Sequence, residues 1–225
     1  MSHSVHPYSF RLGVIRDWKS RWFNLKNYKK FFKTDVLLRE WLSKRLRGMF
    51  ISDVEIERNQ NDFNLILKTS RPGILIGRGG EGIEKLKNEV QAWARKKKLT
   101  LPKNMKISVE EIKAPETHAK IVGQMVADDL EKRLPFRRAL KQTLDKVMAN
   151  KEVEGVKVAL SGRLGGAEMA RYEWLKKGKI PLTTLRANVD FARERAHLPY
   201  GDIGIKVWIY KGEVFENAKN NSNKR

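Results

Sequence analysis

Four of the six residues from Gly77 to Gly82 are glycine, and they follow the apolar run Ile74-Leu75-Ile76. Glycine in a helix interior costs about 1 kcal/mol relative to alanine, so this stretch has to be a turn. A helix starts straight after it, with Ile83, Leu86, Val90, Trp93 and Ala94 at spacings of three and four, and runs to about Lys97. Glycines let a backbone come close to a phosphodiester, and a helix N-terminus offers free N–H groups and a positive dipole end. Arg78 adds a charge. The same residues also make an ordinary helix–helix turn, so the GxxG motif, Gly77-Arg78-Gly79-Gly80, is weak evidence by itself. There is no Walker loop, G-x-x-x-x-G-K-[ST].

The flanking elements sharpen this reading. Thr34 or Asp35 is placed to cap a helix running to about Met49, with Val36, Leu37, Trp41, Leu42 and Leu46 on one face. Two alternating runs follow, Ile51 to Glu57 and Phe63 to Lys68, joined by a turn at Asn59 to Asp62, which predicts a hairpin. Met105 to Ile112 predicts a further strand. The pattern I-x-I-G-x-x-G-x-x-I, set in the order helix, strand, strand, helix, loop, helix, strand, resembles the KH domain, whose GxxG loop clamps about four nucleotides by their backbone.

Ala114-Pro115-Glu116 punctuates the chain and predicts a domain boundary. Beyond it, Ile121, Val122, Met125, Val126 and Leu130 mark a helix over 116–134. Pro135 breaks that helix, and a second runs from Phe136 to about Ala149. Strands are expected at Val156 to Leu160, Thr184 to Phe191 and Ile203 to Tyr210, and a short helix near Ala167 to Leu175. The reading is thus α+β or α/β with two domains: a basic arm over 1–16, an RNA-binding domain over 17–112, an α/β domain over 113–212 with two helices packed on a small sheet, and a disordered tail over 213–225.

Charge says what such a chain meets. The 225 residues carry 47 Lys+Arg against 26 Asp+Glu, a net charge of +21. Self-repulsion of that size points to a polyanionic partner, nucleic acid before an anionic membrane. Residues 1–50 hold 12 basic and 3 acidic side chains, 51–112 hold 12 and 9, and 113–225 hold 23 and 14. The excess therefore lies in the flanks. No run approaches the length of a membrane span, and residues 1–10 lack the apolar core of a signal peptide. The absence of cysteine excludes disulfides, thiol catalysis and Cys-ligated metal, and agrees with a reducing cytoplasm.

Three basic sets are candidates for phosphate contact. Arg11 and Arg16 lie in the arm. Arg137, Arg138 and Lys141 fall within about a third of a turn on the helix after Pro135, where they either hold successive phosphates or form a solvated face. Arg163, Arg171, Lys176, Lys177, Lys179 and Arg186 cluster after the first strand of the second domain. Trp18, Trp22 and Phe23, interleaved with Lys19 and Arg21, either stack on bases or anchor the segment to the first domain. Catalysis has no such constellation. His3, His6, His118 and His197 are scattered, Asp128 and Asp129 point about 100° apart, and Ser161 lacks a G-x-S-x-G elbow. No catalytic residue, metal site or cofactor is expected.

The segments Trp18-Lys19-Ser20-Arg21-Trp22-Phe23, Ile76-Gly77-Arg78-Gly79-Gly80, Phe136-Arg137-Arg138-Ala139, Ser161-Gly162-Arg163-Leu164-Gly165-Gly166-Ala167-Glu168 and Pro181-Leu182-Thr183-Thr184-Leu185-Arg186-Ala187 occur in one order. Together they resemble the family of bacterial small-subunit ribosomal proteins S-three, over nearly the whole chain. The resemblance implies a type II KH domain followed by a C-terminal α/β domain. It implies a place in the head of the small subunit of the cytoplasmic ribosome, on ribosomal RNA (rRNA), beside small-subunit proteins ten and fourteen. It further implies that Arg137, Arg138 and Lys141 face incoming mRNA, near proteins four and five, and help to unwind it. No membrane partner is implied. Ser2-His3-Ser4 stands where the family commonly has Gly-Gln-Lys, and Arg78 is the one cation between the glycines of the GxxG loop.

Overall fold

A computed structural model describes residues 5–59, 62–99, 102 and 104–215. Its contacts define two units. One is Trp18–Lys113; the other joins the described residues up to Asp17 with those from Ala114 onward.

Of the basic arm expected over 1–16, the described residues, 5–16, are folded. Pro7–Phe10 is a short helix, α1, and it packs on the last unit's sheet. Arg11 is fully buried there. Its Nε donates to the Ala187 carbonyl at 2.6 Å and Nη1 to the Pro7 carbonyl at 2.9 Å. Nη2 reaches the carbonyls of Leu182 and Thr184 at 3.0 Å and of Pro181 at 3.3 Å. A guanidinium has five N–H donors and no acceptor, so it suits a ring of backbone oxygens.

The unit Trp18–Lys113 opens with Ser20–Arg21 (β1), a strand hidden in sequence because only two residues pair. Helix α2 is Tyr28–Arg45, and β2 (Ile51–Arg58) and β3 (Asp62–Thr69) form the expected hairpin. Pro72–Ile76 is α3, Glu81–Lys96 is α4 and Asn104–Glu111 is β4. The sheet order is β1-β2-β3-β4, with β1 parallel to β2 and β4 parallel to β3. Leu38 and Leu42 of α2, Leu86 and Val90 of α4, and Ile56, Phe63, Leu65 and Leu67 of the hairpin make its core.

Helix α2 starts six residues before Thr34, so neither Thr34 nor Asp35 caps it. Asp35 is buried in mid-helix, where it accepts from Arg58 Nη2 at 2.9 Å and from Trp22 Nε1 at 2.7 Å. Arg58 Nε and Nη1 find no acceptor; the guanidinium lies over the rings of Phe31 and Phe63, at 4.4 and 5.0 Å. Burial lowers the Arg58 pKa and the Asp35 charge opposes that shift. Trp22 also meets Phe31 edge-on, so it is an anchor to its own unit, whereas Trp18 and Phe23 are exposed.

In the other unit a 3₁₀ turn at Pro115–Thr117 leads into α5 (Ala119–Glu131), and α6 (Phe136–Met148) follows Pro135. The strands are β5 (Gly155–Gly162), β6 (Arg171–Gly178), β7 (Ala187–Leu198) and β8 (Gly201–Glu213). Their order is β6-β5-β8-β7, and every pair is antiparallel. Both helices cover one face. Val122, Val126, Leu140 and Leu144 meet Val156, Val158, Leu160 and the alternating Ile203, Ile205, Val207 and Ile209.

Two expectations are corrected here. The helix near Ala167 to Leu175 is an edge strand, β6. Its Trp174 and Tyr172 face away from the helices while Glu173 and Leu175 face them, a period of two that a helix cannot satisfy. The strand expected from Thr184 begins at Ala187, because the carbonyls just before it are turned onto Arg11. Of the expected tail, Glu213 ends β8, and residues 216–225 lie outside the described residues.

Candidate nucleic-acid interface

In the first unit the glycine stretch is a tight joint between two helices. Gly79 and Gly80 have φ of 60° and 86°, a left-handed backbone that side chains disfavour. At Gly82 a Cβ would collide with the Leu75 carbonyl and lie 2.9 Å from that of Ile76, so the two helices need glycine to approach. Gly77, Arg78 and Gly79 are exposed and Gly80 is half-buried. No side chain caps α4, and its first N–H, that of Glu81, donates to the Arg78 carbonyl. Glu81 and Glu84 sit in that first turn, and Glu81 pairs with Lys85 at 2.5 Å. The attraction for an anion at this joint therefore rests on Arg78 and the backbone.

In the second unit α6 separates its roles by face. Ala139, Leu140, Thr143, Leu144 and Val147 are buried, while Arg137, Arg138 and Lys141 are exposed. Arg137 Nε lies 3.8 Å from Glu173 Oε2. Arg138 and Lys141 form no ion pair among the described residues. Asp145 lies one turn on from Lys141 but pairs with Lys177, so two unpaired cations a turn apart on a rigid helix remain to meet neighbouring phosphates.

The remaining candidates divide. Arg11 is withdrawn as an RNA contact: its donors are spent on carbonyls, and burial, then the nearby Arg16 charge, lowers its pKa. Arg16 Nη2 donates to Asn188 Oδ1 at 2.9 Å. Arg163 closes its own loop, donating to the carbonyls of Ala167 at 2.9 Å and Tyr200 at 3.3 Å. Lys177 pairs with Asp145 at 3.0 Å and Arg186 with Glu213 at 2.5 Å. Arg171, Lys176 and Lys179 are exposed and form no ion pair among the described residues. The structure thus brings together a smaller basic set than the spacing suggested. The sequence reading did not single out Lys157, Trp174, Lys206 and Trp208, which the strand alternation puts on the face away from the helices.

Comparison with known proteins agrees with both units. The model of the KH domain matches residues 37–117, and that of the ribosomal protein S3 C-terminal domain matches residues 126–209. The small ribosomal subunit protein uS3 of Endomicrobium trichonymphae is 45% identical over 218 residues, 97% of this chain and 91% of its own. That of Syntrophomonas wolfei is 46% identical over 219 residues, covering 97% and 93%. That of Oleidesulfovibrio alaskensis is 46% identical over 218 residues, covering 96% and 98%. With two matched domains in the expected order and near-complete coverage of each relative, this chain belongs to the family of small ribosomal subunit protein uS3.

Proposed function

We propose that this chain helps to build the head of the small ribosomal subunit on its rRNA and that α6 faces the channel by which mRNA enters. Membership of the family makes it a structural, RNA-binding component of the cytoplasmic ribosome rather than an enzyme. The observation that supports the finer role is the open, uncompensated pair Arg138 and Lys141, with Arg137 beside them, on a helix whose opposite side is locked in the core. Cations held on a rigid scaffold grip the phosphates of one strand without reading its bases. Translocation then draws that strand past them, and a hairpin opens because its two strands are held unequally. The work comes from the translating ribosome. Small-subunit proteins ten and fourteen are the proposed neighbours, with four and five at the channel.

The test is the triple variant Arg137→Ala, Arg138→Ala, Lys141→Ala. All three side chains are exposed, so stability should change by about 0.5 kcal/mol or less and subunits should assemble. Translation through stable hairpins should slow while unstructured message is read at normal speed. Normal speed through hairpins refutes the channel role.

A further inference from the structure

We propose that the open face of the second unit's sheet is a stacking site for single-stranded RNA. The proposal rests on the ribosomal RNA-binding reading above and locates a contact which that reading does not contain. The face carries a transverse row across all four strands; its β7 end is covered, since Phe191 meets His6 edge-on at 4.7 Å where α1 packs on β7, and the open part is the β6-β5-β8 side. Lys157 Nζ lies between two indoles, 4.6 Å from the ring centre of Trp174 on β6 and 5.2 Å from that of Trp208 on β8. Trp208 in turn packs 5.1 Å from Phe191 on β7. A cation between two ring faces holds both in place. Trp174 remains 49% exposed and Tyr172, on the same edge strand, 54%.

Lys157 has its indoles and Arg193 lies over the Phe191 ring at 5.5 Å, but Lys176 and Lys206 form no ion pair among the described residues. In the register Lys157 stands opposite Lys176, and Arg193 opposite Lys206. Like charges directly opposed across strands destabilise a sheet. No carboxylate shares the row. Glu173, Asp190 and Glu194 lie opposite Leu160, Ile209 and Ile205, on the helix-covered face, and Asp202 is bonded to His197 at the strand ends. A face with two like-charged cross-strand pairs and two half-exposed aromatic rings is complementary to phosphates and bases together. A protein partner fits less well, because lysine is depleted in protein–protein contacts. A duplex fits less well too, because its bases are already stacked on one another, whereas single-stranded bases are free to stack on aromatic rings.

The full chain is titrated with a short, unstructured, labelled oligouridylate over a range of salt. Trp174→Ala should weaken binding about tenfold or more at every salt concentration, because stacking is lost while the charge is kept. Trp174→Phe should stay within about threefold of the unsubstituted chain. Lys206→Glu, an exposed change that spares the core, should weaken binding and flatten the salt dependence. If Trp174→Ala binds within twofold of the unsubstituted chain, the stacking site is refuted. If that variant instead fails to enter the small subunit while its oligouridylate affinity holds, a protein neighbour covers the face and the proposal is equally overturned. An unsubstituted chain that stays out of the small-subunit peak on a sucrose gradient sinks the ribosomal reading and leaves the oligouridylate comparison to decide this one.

Discussion

Arg11→Met separates two roles for one cation. If Arg11 were an RNA ligand, the variant would fold normally and bind RNA less well. The structure demands the opposite. Two of its hydrogen bonds, to the carbonyls of Ala187 and Pro7, are buried. Hydrogen bonds from a charged donor contribute about 1.5–3 kcal/mol each, so two give about 3–6 kcal/mol. Removing the buried charge relieves a desolvation cost, the same cost that lowers the Arg11 pKa, so the loss should lie near the low end, about 3–4 kcal/mol. The partly solvated contacts to Pro181, Leu182 and Thr184 add little, since water can replace them. Against a typical domain stability of about 5–15 kcal/mol this is a large fraction, and it lowers the melting point of this unit by about 10 °C. Urea unfolding measures the loss. Amide exchange locates it: the amides of Ala187 and Val214, bonded to Thr184 and Arg186, should exchange faster, while those of the β2–β3 hairpin should not. A change below about 1 kcal/mol refutes the structural role.

Three other outcomes are expected. Asp35→Ala leaves Arg58 buried without its counter-charge and should cost about 3–5 kcal/mol in urea unfolding; adding Arg58→Met should recover much of it, and no recovery would deny the pairing its importance. The double change Arg78→Asp, Gly79→Asp should weaken oligouridylate binding at low salt, since aspartate tolerates the left-handed backbone but reverses the charge; unchanged affinity would make the loop purely architectural. Arg21 and Arg45 hold the Glu57 and Glu89 pKa values below the usual carboxylate range through hydrogen bonds. A depressed folded-state pKa adds stability above the unfolded value, and the gain is lost as pH falls through the folded one. Acid should therefore weaken the first unit, and Glu57→Gln with Glu89→Gln should reduce that dependence; an identical acid profile would exclude these pairs as its source.

What could be read from sequence was local. Helices α5 and α6 and strand β8 each bury one side of a regular element, so Val122 and Val126, Leu140 and Leu144, and Ile203 to Ile209 announce themselves by spacing. The glycine joint is equally local, because Gly82 and the Leu75 carbonyl that excludes its side chain are neighbours in the chain. The misreadings have other causes: contacts outside a regular spacing, edge exposure and, for Arg11, partners far along the chain. The first turns of α2 are held by Trp22, Tyr28 and Phe31 rather than by a cap. Strand β6 lies at an edge and exposes residues on both faces, which blurs its alternation. Apart from the Pro7 carbonyl, Arg11 finds its acceptors about 170 to 176 positions away, and nothing in its sequence neighbourhood distinguishes it from an arginine meant for RNA.

That last case changes how the net charge of +21 should be used. A count of cations measures what the chain must neutralise in total, not where it is neutralised. Arg11 and Arg163 hold loops together, Arg39 binds the carbonyls of Val54 and Lys19, and Arg58 sits inside a core. These arginines satisfy backbone oxygens or buried aromatics, which guanidinium does well and ammonium does not. The cations left facing outward with no ion pair among the described residues include Arg138 and Lys141 on α6, Arg171, Lys176 and Lys179 on or near β6, and Arg193 and Lys206 on the open sheet face, arginine and lysine alike. A compact, strongly hydrated ammonium on a flexible stem suits phosphate held as a point charge. The division between cations spent on internal oxygens or rings and cations left outward without an ion pair therefore points to RNA-facing surfaces more closely than charge density along the chain does. It also predicts that neutralising Lys176 and Lys206 together should flatten the salt dependence of RNA binding without shifting the urea midpoint, whereas neutralising Arg11 should do the reverse.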